Sequence, residues 1–60
     1  MKAKLHDRVL IVGFHPWCGH IGIVTEKIQT PVGVMWRVEL DNGCAAGVQD
    51  ENLEVIEAAT

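Results

Sequence analysis

Val34-Met35-Trp36-Arg37-Val38-Glu39-Leu40, followed directly by Asp41-Asn42-Gly43, is the stretch on which the fold turns. Val34, Trp36, Val38 and Leu40 share one face, and Met35, Arg37 and Glu39 share the other. Alternation of this kind is the period of a β-strand, whose successive side chains leave on opposite sides. A tryptophan on the apolar face marks that face as buried, so Trp36 is expected in the core. Asn42-Gly43 readily supplies the positive φ angles of a tight turn, and predicts a hairpin. Cys44 to Val48 then returns as a short strand of small residues.

The same reading extends in both directions. Upstream, Val9-Leu10-Ile11-Val12 is short, β-branched and closed by Gly13, which predicts a strand buried on both sides. Phe14 to Gly19 holds Pro16 and suits a loop. His20-Ile21-Gly22-Ile23-Val24-Thr25 is a second β-branched strand, with Gly22 where a strand bends or another backbone passes close. Lys27 to Gly33 contains Thr30-Pro31 and is expected to be a hairpin connection. Downstream, Gln49 to Asn52 reads as one helical turn or a loop, Leu53 to Glu57 as a last strand, and residues 58–60 as a tail. Five short strands without a useful helix predict an all-β domain, a five-stranded small barrel with one helical turn before the last strand. Residues 1–60 form a single domain in this reading, with 1–6 as an N-terminal arm.

The pattern resembles SH3-like barrels of the KOW and Tudor type. The resemblance rests on Asp7-Arg8-Val9-Leu10-Ile11-Val12, on Gly19-His20-Ile21-Gly22-Ile23-Val24, on Trp36 to Gly43, and on Glu51-Asn52-Leu53-Glu54-Val55-Ile56. It covers about residues 5–57 and implies a fold more than an activity. Within that fold the chain is also similar to the plasmid-borne type B dihydrofolate reductases, homotetramers that bind folate and nicotinamide in a shared pore. Asp7-Arg8-Val9, Trp17, Gly19, Ile21, Thr30-Pro31, Gly33, Gly43 and Leu53-Glu54 with Ile56 carry that likeness. The family's Val-Gln-Ile-Tyr pore motif falls on Ala45-Ala46-Gly47-Val48. Shifted to Val48-Gln49 it meets Asp50 and Glu51, and Ile11 fills the slot of a family lysine. The resemblance therefore implies the barrel and a habit of self-association, without the reductase activity or its cofactor.

Composition adds limits. A 60-residue chain buries only about 60% of its unfolded surface, so small domains of this size lean on disulfides, metals or association. Apolar residues make up 48% of the chain, a large share for so small a volume, and this points to a protein contact. The net charge of −3 is unevenly divided. Lys2, Lys4, Arg8 and Lys27 against Asp7 and Glu26 leave residues 1–30 at +2. Arg37 against Glu39, Asp41, Asp50, Glu51, Glu54 and Glu57 leaves residues 31–60 at −5. An acidic domain repels phosphate, so nucleic acid is not the expected partner; the Lys2–Lys4–Arg8 end is its one foothold. Cys18 and Cys44 make no disulfide framework, and no stretch has transmembrane length, so a cytoplasmic protein with free thiols and no membrane association is expected.

The chemistry-bearing residues are few. Pro16-Trp17-Cys18-Gly19-His20 matches the heart of a disulfide-isomerase signature, but Ile21 stands where a resolving cysteine is needed. His15, Cys18 and His20 are weak candidates for zinc, because their spacing lacks the paired cysteines of a knuckle; no metal and no cofactor are expected. The acidic run from Asp50 to Glu57 reads as a solvated face, the chain has no serine, and no catalytic constellation emerges. A methyl-lysine cage needs several aromatics, and the chain has one Phe and no Tyr. Phe14, His15 and Trp17 in the loop, with Met35 and Arg37 on the polar face of the decisive strand, are the expected contact surface for a protein partner or a second copy. The functional expectation is a small interaction or assembly module that self-associates through apolar barrel surface. A KOW-like nucleic-acid-binding domain and a pore-forming reductase are the alternatives.

Overall fold

A computed structural model of the chain describes residues 3–59. Strands β1 (Arg8–Ile11), β2 (Ile21–Thr30), β3 (Gly33–Leu40), β4 (Ala45–Gln49) and β5 (Leu53–Glu57) form one antiparallel sheet in the order β4-β3-β2-β1-β5. A single 3-10 turn, Asp50–Asn52, leads from β4 into β5. The domain is all-β, as the alternation in β3 and the short β-branched runs require. No helix among the described residues is long and apolar enough to cross a membrane.

The sheet curls around one core. Val9 and Ile11 of β1, Val24 of β2, Trp36, Val38 and Leu40 of β3, Val48 of β4 and Leu53 of β5 are all buried. Register explains why they meet: Val24 lies opposite Val38, Trp36 opposite Val48, Val9 opposite Val55, and Ile11 opposite Leu53. Trp36 is in the core as expected; its indole N–H donates to Asp50 Oδ1 at 3.0 Å, so the ring is buried without stranding its polar atom. Gly22 lets β2 cross close to β3. A Cβ there would lie 2.5 Å from the Glu39 carbonyl oxygen and 2.6 Å from Val38 Cγ1.

Three expectations are corrected. The connection placed at Lys27 to Gly33 is strand up to Thr30, and only Pro31 and Val32 form the turn. β2 continues because its ladder to β3 survives an irregularity between Val24 and Glu26, pairing Lys27 with Trp36 and Ile28 with Met35. At the second hairpin, Gly43 adopts positive φ (90°) while Asn42 does not. The Gly43 N–H bonds to Leu40 O at 3.1 Å and the Leu40 N–H to Cys44 O at 2.7 Å, the pattern of a turn closed by a glycine bulge. The stretch Val9-Leu10-Ile11-Val12, expected to be buried on both sides, hides one side only, because a single curled sheet has one interior: Leu10 is half-buried, and on the neighbouring β2 Ile21 is half-buried and Ile23 exposed.

Asp7 ties both ends of the chain together. It is the one buried charged residue among those described. Its Oδ1 accepts the Ala59 N–H at 2.7 Å and its Oδ2 accepts the Lys4 N–H at 2.8 Å, closing a turn in which His6 takes φ +74°. The Ala59 bond chiefly holds the Asp7 carboxyl below the usual range; burial opposes this, and the Lys4 N–H and ammonium add to it. Part of the segment read as an arm, including buried Ala3, is thus built into the fold, whereas Lys2 and Thr60 lie outside the described residues.

Two outcomes follow from this packing. Gly22→Ala should lower stability by roughly 1–3 kcal/mol, read as a shifted denaturant midpoint at unchanged slope, because backbone cannot retreat from the added methyl. Asp7 has a lowered folded-state pKa, so it stabilises above its unfolded value and loses that contribution as pH falls through the folded one. In acid titrations followed by thermal melting, the wild type should lose stability below about pH 4, and Asp7→Asn should start lower at neutral pH and lose this acid-dependent part. Parallel pH profiles for the two proteins would contradict the clamp.

Candidate functional site

The loop from Val12 to His20 joins β1 to β2 and is held by backbone and histidine bonds. The Gly19 N–H bonds to Ile11 O at 2.8 Å, and the Ile11 N–H to His20 O at 3.0 Å. His15 reaches across the fold: its Nδ1 accepts the Trp17 N–H at 3.0 Å, and its Nε2 lies 3.3 Å from the carbonyl oxygen of Gly47 on edge strand β4. Both contacts are met only by a neutral ring carrying its proton on Nε2. His15 therefore pins the loop onto β4.

Three of the five residues expected at the contact surface converge on Gly47. His15 bonds to its carbonyl, Arg37 lies opposite it in the ladder, and a Cβ at Gly47 would touch Met35 Cε at 3.4 Å. Trp17, two residues from His15, is half-buried against the core and stacks edge-on to His20, with ring centres 5.2 Å apart. Phe14 is fully exposed at the loop tip. Arg37 pairs with Glu39 at 3.8 Å, an exposed contact worth little energetically.

His15, Cys18 and His20 do not gather into a ligand set. No group of three or more His, Cys, Asp or Glu residues among those described could hold a metal ion. His20 Nδ1 instead faces Asp41 at 3.7 Å, and Cys18 and Cys44 are both exposed free thiols. Asp50 and Glu51, which stand where the reductase motif would require other residues, lie in the 3-10 turn; Asp50 holds the Trp36 indole.

A second surface lies on the outside of β1 and β2. Alternation places Arg8 and Leu10 of β1 beside Ile23 and Ile21 of β2, with Arg8 opposite Ile23 and Leu10 opposite Ile21. Carboxylates flank this block on both sides. On β5, Glu54 is opposite Leu10 and Glu57 opposite Arg8; on the β3 side, Glu39 is opposite Ile23, and the Asp41 N–H bonds to Ile21 O at 2.9 Å. A shallow depression of about 440 Å³ runs over Ile21, Ile23 and Leu40 between Arg8 and Asp41. The alternation of apolar residues on both sides of these strands was visible in the sequence, but its carboxylate frame was not. That frame comes from pairing three strands far apart in the chain.

The sequence matches no protein-family model, and no curated protein or solved structure is significantly similar to it.

The loop pin has a spectroscopic signature. Long-range proton–nitrogen spectra near neutral pH should show the His15 ring protonated on Nε2, and the Trp17 amide should exchange slowly relative to that of Phe14. An Nδ1-protonated ring would contradict the geometry.

Proposed function

We propose that this chain is an SH3-like small barrel acting as a protein-interaction and assembly module, docking and self-associating through the outer face of β1 and β2. The strand order, the long interrupted β2 and the 3-10 turn before β5 support the barrel assignment. One observation carries the functional reading. Val9, Ile11 and Val24 already fill the interior, and Leu10, Ile21 and Ile23 are turned outward together on adjacent strands. Solvent-facing positions of an antiparallel sheet are ordinarily polar, so three large aliphatic residues in one block favour a partner.

Nucleic acid is a poorer fit to the same face, because its rim is acidic and phosphate would meet Glu39, Asp41, Glu54 and Glu57. Aromatic stacking from Trp36, a common device of nucleic-acid-binding sheets, is blocked by its burial at 3% exposure.

Sedimentation separates these possibilities. At millimolar concentration the wild type should sediment as more than one chain, and Ile23→Asp, with an unchanged fold by circular dichroism, as a single chain. A wild type that remains strictly monomeric at that concentration counts against self-association through this face.

A further inference from the structure

The acidic frame restricts how a second copy can sit on this face. Across the outer surface, Glu54 and Glu57 stand on one flank and Glu39 and Asp41 on the other. Arg8 lies between them and Arg37 pairs with Glu39, which leaves the four carboxylates and two arginines at a net −2. In a two-fold pair, each face meets an identical one. With the axis along the strands, the β5 flank of one copy covers the β3 flank of the other. With the axis across the strands, each flank covers itself. Acid meets acid either way, and like-charge juxtaposition opposes association.

The chain's complementary surface is elsewhere. Lys4 and Lys27 are both exposed beside Leu5, which is 46% exposed, around a groove of about 510 Å³ floored by Trp36. The Lys27 ammonium sits 5.9 Å from the Trp36 ring centre. The nearby carboxylates are Asp7, buried on the Lys4 and Ala59 amides, and Asp50, half-buried on the Trp36 indole, so the exposed charges of this corner are the two ammoniums. This corner is cationic with an apolar centre, and the outer face of β1 and β2 is apolar with an anionic rim.

We infer that copies of this chain associate head to tail, the Lys4–Leu5–Lys27 corner of one seated on the Leu10–Ile21–Ile23 face of the next. The inference rests on the docking role proposed above and names its partner. Such a contact is heterologous: the copy whose corner is seated keeps its face free and the copy beneath keeps its corner free, so assembly continues into a ring or a filament and does not stop at two. A stable contact covers about 800 Å² of each partner, so two contacts per copy would cover about two fifths of the 3910 Å² surface. Opposite charges at the rim also make the association weaken with salt.

Charge exchange tests the pairing. The corner variant is Lys4→Glu/Lys27→Glu and the face variant is Asp41→Lys/Glu54→Lys. Lys27→Glu alone serves as a second corner variant, because Lys4 adjoins the Asp7 clamp. Thermal melts establish that each is folded, and sedimentation equilibrium is read at low and high salt. Each variant alone should associate at least about tenfold more weakly than wild type, and an equimolar mixture of corner and face variants should recover association. The recovered species should contain both variants in equal amounts. Association abolished by Ile23→Asp but unchanged in both charge variants would overturn head-to-tail seating while leaving the docking face in place. A strictly monomeric wild type would overturn both, as would association unaffected by Ile23→Asp.

Discussion

A single curled sheet has one interior, and in a chain this short that interior is filled early. Val9, Ile11, Val24, Trp36, Val38, Leu40, Val48 and Leu53 occupy it from all five strands. Side chains on a strand alternate, so any aliphatic residue between two core positions must face out. Leu10, between Val9 and Ile11, and Ile23, between Gly22 and Val24, are in that position. Their placement follows from the register that buries their neighbours, and a one-residue slip would expose the core instead. The outer apolar face and the core are thus two consequences of one pairing.

The small core makes the closures at the margins matter more. Where strands run out, side chains satisfy backbone groups. Asp7 accepts the Lys4 and Ala59 amides, and Asn52 donates to Val12 O at 2.8 Å while the Val12 N–H bonds back to Asn52 O. His15 bonds to edge strand β4 at Gly47. No buried side-chain nitrogen or oxygen among the described residues is left without a partner. Satisfied groups of this kind protect a marginal core, since each buried orphan would cost about 1–3 kcal/mol. Free strand edges also invite unintended pairing, and β5, which closes one side of the sheet, carries Glu54 and Glu57.

The decisive β3 stretch was legible because burial, alternation and the turn signal agreed there. Trp36, Val38 and Leu40 face the core as their spacing requires, and Leu53 to Glu57 is a strand with the bounds expected. The extension of β2 through Lys27 and Gln29 was not legible, since polar residues on a projecting two-stranded ribbon mimic a loop. The Asp7 clamp was equally hidden: its partners are backbone amides, one of them 52 positions away, and backbone donors have no residue-type signature. The gathering of His15, Met35 and Arg37 at Gly47 depended on a loop crossing to an edge strand, which no local period encodes. Outward aliphatics on β1 and β2 could be read from composition; their acidic rim required the register of β5 and β3.

The central claim is that Leu10, Ile21 and Ile23 face water in an isolated chain and become covered when chains meet. Methyl relaxation by a soluble paramagnetic probe measures this directly, at low and at high protein concentration. In dilute protein the methyl groups of these three residues should relax strongly while those of Val9, Ile11 and Val24 do not, and concentration should protect the outer three, together with Leu5 of the seated corner, and leave the core ones unchanged. Outer methyls as shielded as the core ones in dilute protein, or equally exposed at both concentrations, would contradict it.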